Sequence, residues 1–191
     1  FRTFLKHLFE CDNCLVSVRN DGSRGHIREY LGDEYADQLW KIPDGGFFVN
    51  TTDSPHPEIP DTDTVIASNI VSDMQERRFP GSPDHITYKE YVTEFASFAD
   101  SLLDRGDTHL VFVPHIYSDL NAISDVLSEM DLWHRRKRVT TAPYLNGPGS
   151  EQHIFNIYEN ADISIGLRFH ANVCSIGLGT PSIGLTNGHP K

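Results

Sequence analysis

The sequence predicts an α/β fold, a Rossmann-like parallel sheet with helices on both faces. Two observations carry this. From residue 64 onward, short apolar runs alternate with longer stretches of helical periodicity, in the order strand, helix, strand, helix, strand, helix, strand, helix, strand. Such alternation implies a parallel sheet joined by right-handed crossovers. The chain is also 38% apolar with 11 Phe among its 191 residues, enough to bury a real core.

Residues 1–10 read as an amphipathic helix and 15–18 as a short apolar strand ending at Arg19. Asn20-Asp21-Gly22-Ser23 follows, with Ser23 the expected N-cap of a helix to Leu31 and Gly32 its stop. Pro43-Asp44-Gly45-Gly46 is a turn signal. The Thr-, Asp- and Pro-rich stretch after it places a linker at 51–63, between a first part at 1–50 and an α/β domain at 64–191. Asn50-Thr51-Thr52 is a glycosylation sequon, meaningful only in a secreted or luminal protein.

Within the α/β domain, 64–69 is a strand and 71–86 a polar loop carrying Arg77 and Arg78. Tyr88, Tyr91, Val92, Phe95, Ala99, Leu102 and Leu103 recur at helical spacing, and these aromatics are expected in the core. Residues 110–113 are a buried strand, and Pro114 to Asp119 the turn after it. Ser118 or Asp119 caps the helix that runs to Met130. A strand at 138–142 follows, then the Gly-rich loop Asn146-Gly147-Pro148-Gly149-Ser150 opening a helix at 151–159. The end of the chain supplies a strand at 163–165, a turn from Gly166, a helix at 171–178 and a strand at 182–185.

Acidic residues number 27 and basic ones 16, a net charge of −11. That balance opposes non-specific binding to nucleic acid or an anionic membrane, although a local arginine cluster can still take an anionic ligand. No apolar run approaches the about 18 residues of a membrane span, and no signal peptide is apparent. The chain opens at Phe1 inside a helical pattern and stops at Lys191 just after a strand, so a fragment of a longer chain is expected. Of the three cysteines, Cys11 and Cys14 form an isolated C-x-x-C without a second ligand pair, so neither zinc nor any other metal is expected there. Cys174 falls in the last helix as a small core residue.

Ligands of open α/β sheets bind at the carboxyl ends of the strands, where helix N-termini also offer free N–H groups. Three loops should line that edge: 114–119, 146–150 and 166–170. They bring His115 and Asp119, the glycine-rich helix start with Gly149 and Ser150, and Arg168 with His170. Arginine presents a planar fork of donors suited to carboxylate or phosphate; histidine moves protons near neutral pH. The bland readings stand beside these: Arg168 and His170 as a solvated helix terminus, and His115 as a strand-end histidine bonded to a local carboxylate, with Asp119 the candidate partner. The 146–150 loop is no Walker loop, and neither G-x-G-x-x-G nor G-x-S-x-G occurs.

Ala161-Asp-Ile-Ser-Ile-Gly-Leu-Arg-Phe-His-Ala171, Gly179-Thr-Pro-Ser-Ile-Gly-Leu185 and the closing Lys191 resemble the polysaccharide pyruvyl transferase family. That family shows an acidic residue before a strand, G-x-R-[FLY]-H-A, G-x-P-x-I-x-[IL] and then a lysine. Ser17-Val-Arg19-Asn20-Asp21-Gly22-Ser23 resembles its S-x-R-D-x-x-S motif, with Asn20 in place of the usual aspartate; Pro43-Asp44 and Val113-Pro-His115 to Asp119 match further segments. The resemblance covers most of the chain in order.

It implies the C-terminal half of a two-domain architecture like that of the glycosyltransferase B enzymes, with residues 1–50 the end of the first lobe. It implies transfer of the pyruvyl group of phosphoenolpyruvate, the co-substrate, to two hydroxyls of a saccharide with release of phosphate and no further cofactor. The expected acceptors contain galactose or an N-acetylhexosamine, within polysaccharide or glycan biosynthesis. His170 and Arg168 become the catalytic pair, and Arg19, Arg168, His115, Gly149, Ser150 and Lys191 the donor-binding set. The expected location is the cytoplasm, including its membrane face, or the Golgi lumen in a eukaryote. Two other readings of the same features are a nucleotide-sugar-dependent glycosyltransferase and a non-catalytic protein that binds anionic saccharides.

Overall fold

The structure, a computed structural model, describes residues 1–19, 21–52, 58–82 and 85–185. The chain divides into two compact units, Phe1–Gly45 and a larger one beginning at Gly46. The expected linker falls partly outside the described residues, as do Asn20 and Lys191.

The first unit holds α1 (Arg2–Phe9), β1 (Ser17–Val18), α2 (Ser23–Leu31), α3 (Asp33–Ala36) and β2 (Trp40–Lys41). β1 and β2 pair in parallel, with Ser17 opposite Trp40. The unit buries Leu31, Tyr35, Ala36 and Leu39, and Phe9 packs edge-on against Tyr35. Ser23 is not the N-cap of α2. It is the first helical residue, Gly22 holds the cap position, and the Asp21 carboxylate accepts the Ser23 N–H at 3.1 Å. The acidic side chain is the stronger acceptor for a helix's orphan donor, which is why it displaces the hydroxyl.

The second unit is built on β3 (Thr64–Asn69), α4 (Gln75–Arg78), α5 (Tyr88–Leu103), β4 (Thr108–Phe112), α6 (Asp119–Glu129), α7 (Leu132–Lys137), β5 (Val139–Thr141), α8 (Ser150–Glu159), β6 (Ile163–Gly166), α9 (Phe169–Gly177) and β7 (Ser182–Gly184). All five strands are parallel, in the order β5-β4-β3-β6-β7. The expected alternation is therefore present. Two short helices stand outside the expected elements: α4 in the 71–86 loop, and α7, which Asp131 caps through the N–H groups of Trp133 and His134.

Side-chain alternation along the strands makes two cores. Ile66, Leu110, Phe112 and Ile165 face α5 and α6, where they meet Tyr91, Phe95, Leu103, Ile123 and Val126. Val65, Ala67, Val111 and Val113 face the other side and meet Ile157, Tyr158 and Ala171 of α8 and α9. Helices thus cover both faces. The strand order reverses between β3 and β6: the chain steps outward from β3 through β4 to β5, then returns to β6 on the other side of β3. The crevice outside the carboxyl ends of such a pair is the usual ligand site of an open α/β sheet.

Candidate active site

The carboxyl ends of β3 and β6 carry Asn69 and Gly166, which lie opposite one another in the register. Gly166 is required by close approach: a Cβ there would stand 2.8 Å from the Ala171 Cβ. The missing side chain lets α9 begin directly against the end of β6, and so sets where Arg168 and His170 emerge. Asn172 fixes the turn by donating to the carbonyls of Gly166 and Arg168, each at 3.0 Å, and by accepting from the Ser182 hydroxyl at 2.9 Å.

Arg168 is held on several sides. Its backbone N–H donates to Asn69 Oδ1 at 3.1 Å. Its Nε donates to Asp119 Oδ2 at 2.9 Å and its Nη2 to Asp119 Oδ1 at 2.5 Å, a bidentate pair. Nη2 also donates to Asp73 Oδ1 at 2.9 Å, and Asp73 pairs in turn with Arg78 at 3.7 Å. Burial works against the arginine's charge, but Asp119 and Asp73 outweigh it and raise its pKa above the ordinary value. Nη1 makes no hydrogen bond among the described residues, so one edge of the guanidinium stays available to a ligand.

Asp119 is completely buried. It does not cap its own helix, whose N-cap position is Ser118 with no side-chain bond. Its carboxylate instead reaches back to accept the N–H groups of His115 at 3.0 Å and Ile116 at 3.2 Å, besides Arg168 and Asn69 Nδ2. A buried carboxylate needs this many partners because water is not there to solvate it. Asn69, also completely buried, donates to the Val113 carbonyl at 3.0 Å, and so ties the ends of β3, β4 and β6 together.

The His115 ring is not bonded to Asp119, the candidate partner in the alternative reading of this histidine; Asp119 takes the backbone N–H instead. The ring's Nε2 lies 2.7 Å from the Tyr158 hydroxyl, and the two rings meet edge-on at 5.8 Å. Burial lowers the His115 pKa to about 4, against the pull of Asp119 and with help from Arg168 and His170. The ring is therefore neutral at physiological pH. Burial, with Cys174 and Asp119 adding to it, pushes the Tyr158 hydroxyl far up, so it keeps its proton. His170, on the first turn of α9, is exposed and packs edge-on against Phe169 at 5.3 Å.

Gly149 adopts a left-handed conformation (φ 83°) as the N-cap of α8, and Ser150 is the first residue of that helix. Both follow the carboxyl end of β5. Arg19 belongs to the first unit, where it pairs with Asp44 and, at 3.3 Å, with Asp21. The structure thus places His115 within electrostatic reach of Arg168, His170 and the expected Asp119, and adds Asn69, Asp73 and Tyr158. Among these, Asn69, Asp73 and Tyr158 carry no motif. The one available signal was the polar pair Ser68-Asn69 closing a strand whose middle, Val65 to Ala67, is apolar. No cluster of His, Cys, Asp or Glu suited to a metal ion occurs among the described residues, and no described helix is long and apolar enough to cross a membrane.

Neither curated proteins nor solved structures give a match to the chain. A family model does, over residues 1–189, and it includes the strand-end arginine and histidine just described; the chain belongs to the polysaccharide pyruvyl transferase family.

Proposed function

We propose that the chain acts as a phosphoenolpyruvate-dependent ketal transferase, placing a pyruvyl group on two hydroxyls of a saccharide containing galactose or an N-acetylhexosamine. The observation that carries this reading is the clamped Arg168 at the β3–β6 crevice, with Nη1 uncommitted and two histidines of unlike character beside it. In the reaction, one sugar hydroxyl adds to C2 of the enol and a proton goes to C3. The second hydroxyl then displaces phosphate from C2, and its proton leaves with that phosphate. The products are a cyclic ketal and inorganic phosphate.

His170 is the better acid–base group, because it is exposed while His115 is held neutral. Proton transfer from a positioned side chain is worth about 10²–10⁴-fold in rate. Arg168 Nη1 and the donors of Gly149 and Ser150 at the start of α8 suit the donor's anionic ends. The two carboxylates on Arg168 cancel much of its charge, so one arginine is not enough for an ion with a phosphate and a carboxylate. Carried over from the family resemblance, Arg19 and Lys191 complete the proposed set of donor-binding cations. The glycosyltransferase-B-like arrangement of two lobes belongs to this proposal as well.

The test is a phosphate-release screen with phosphoenolpyruvate against a panel of galactosides and N-acetylhexosamines, with mass spectrometry of the sugar product. Phosphate release with a pyruvate ketal on the sugar is expected. His170→Ala should lower turnover by about 10²–10⁴-fold and leave donor affinity mostly intact; near-wild-type turnover would remove His170 from the mechanism. Release of a nucleoside diphosphate from a nucleotide sugar would instead identify a glycosyltransferase. Saccharide binding without any turnover would identify a binding protein.

A further inference from the structure

Tyr158 lies in α8, on the face packed against the sheet, and its side chain is almost wholly enclosed. A buried tyrosine normally needs a partner for its hydroxyl. Here that partner is His115 Nε2 at 2.7 Å, and no other hydrogen bond of this hydroxyl occurs among the described residues. A neutral imidazole has one N–H donor and one acceptor nitrogen, and the bond made at one nitrogen decides the other. Were Nε2 to carry the proton and donate to tyrosine, the phenolic proton would be left buried with no acceptor, an arrangement that costs the full desolvation of that group. If the tyrosine donates, both groups are satisfied.

The remaining nitrogen, Nδ1, has no partner among the described residues. It is not one of the buried unpartnered atoms of the molecule, so it meets solvent. The main chain around it is fixed independently, because Asp119 accepts the His115 N–H and the N–H of Ile116. The ring is therefore held at both ends, by Asp119 through the backbone and by Tyr158 through Nε2. It also lies within electrostatic reach of Arg168 and His170.

We propose that Tyr158 is a positioning residue, which donates its hydroxyl proton to His115 Nε2 and thereby fixes His115 as the Nδ1–H tautomer, a neutral hydrogen-bond donor to the anionic donor substrate. This rests on the proposed function for the identity of that substrate, but not for the tautomer. It divides the labour of the two histidines. His170 exchanges a proton with the reacting groups; His115 gives a hydrogen bond without giving up its proton. A neutral donor can lie against a site already balanced by carboxylates and arginines without adding a charge that the buried hydroxyl beneath it would have to solvate.

Two measurements test this. The first is 15N-edited NMR of the histidine rings of the whole chain near neutral pH, without substrate. His115 should show a protonated Nδ1 and an unprotonated, pyridine-like Nε2. Tyr158→Phe, which removes the hydroxyl but keeps the ring that packs against the sheet, should move His115 toward the Nε2–H tautomer. An Nε2–H ring in the unaltered protein, or an imidazolium, overturns the proposal, even if the variant fails to fold. The second is phosphate release from phosphoenolpyruvate. Loss of one ordinary hydrogen bond corresponds to about two- to tenfold, so Tyr158→Phe should raise KM for phosphoenolpyruvate by that factor and change kcat less. An unaltered KM overturns the positioning role. Absence of any phosphate release from the unaltered protein counts against the proposed function alone, because the tautomer is read without turnover.

Discussion

Asp119 concentrates more of the candidate site than any other motif residue. It neutralises Arg168, anchors the main chain of the 114–119 turn and accepts from Asn69. Removing one partner of a buried ion pair costs about 3–5 kcal/mol, because the other charge is left without compensation. Asp119→Ala is therefore expected to lower unfolding stability by roughly that amount, read from urea denaturation; a loss within experimental error would mean that solvent reaches Arg168. His115 gives a pH dependence. Its folded pKa, about 4, lies below its ordinary 6.5, so the unfolded chain binds the extra proton first. The stability linked to it is complete above about pH 6.5 and declines as pH falls toward 4. The stability difference between the unaltered protein and His115→Asn should shrink across that window, and a difference flat in pH would show that the ring is not buried in the neutral form. The Arg and His of the site were legible because their chemistry is distinctive at a strand end. Tyr158 was not: in sequence it is one more aromatic at helical spacing, and only its place opposite His115 distinguishes it.

At the scale of elements, α5 is the most fully specified piece of the chain. Its apolar stripe of Tyr91, Val92, Phe95, Ala96, Ala99 and Leu103 is buried against the sheet, and Phe79 stacks on Tyr91 at 4.7 Å. Its N-terminus carries a capping box: Thr87 Oγ1 accepts from the Glu90 N–H at 3.2 Å, and Glu90 Oε2 accepts from the Thr87 N–H at 2.7 Å. Hydrogen bonding to Thr87 also holds the Glu90 carboxyl below its usual range. Thr87→Ala should cost about 1 kcal/mol in denaturant titration, without altering donor binding; a cost near zero would show that packing alone sets where α5 begins. Long helices and buried strands were readable here because periodicity accumulates over many residues. α4 and α7 were not, since four or six residues give no period; QERR lies in the stretch that reads as polar loop, and LWHRRK sets two apolar residues before four basic ones without a repeat. The strand order was equally hidden: β3 pairs with β6 across almost a hundred residues, and nothing local records which strands become neighbours.

The molecule as a whole distributes its burial unevenly. In the second unit, β3 is buried from Val65 through Asn69 and every residue of β4 is buried. Each of these strands is hydrogen-bonded on both sides and covered on both faces by helices. In the first unit α1 buries no residue, α2 buries only Leu31, and the sheet is a single pair of two-residue strands. Local opening is cheapest where few apolar contacts must be broken, and approaches the global unfolding free energy only in a packed core. Amide exchange should therefore rank the chain. Peptides covering 64–69 and 108–112 should exchange last, at a rate that follows global unfolding and accelerates with denaturant. The peptide covering 2–9 should exchange orders of magnitude sooner and hardly respond to low denaturant, because fraying of an exposed helix uncovers little surface. Equal protection of α1 and β3 would mean that the first unit is stabilised by contacts its own burial does not reveal. The same contrast places the clamp around Arg168 on the rigid side of the molecule. Asn69 and Gly166 end strands of the slowly exchanging sheet, so the orientation of Arg168 should persist on timescales far longer than the opening of α1 or α2, and a ligand at the β3–β6 crevice would meet a preformed donor rather than one ordered on binding.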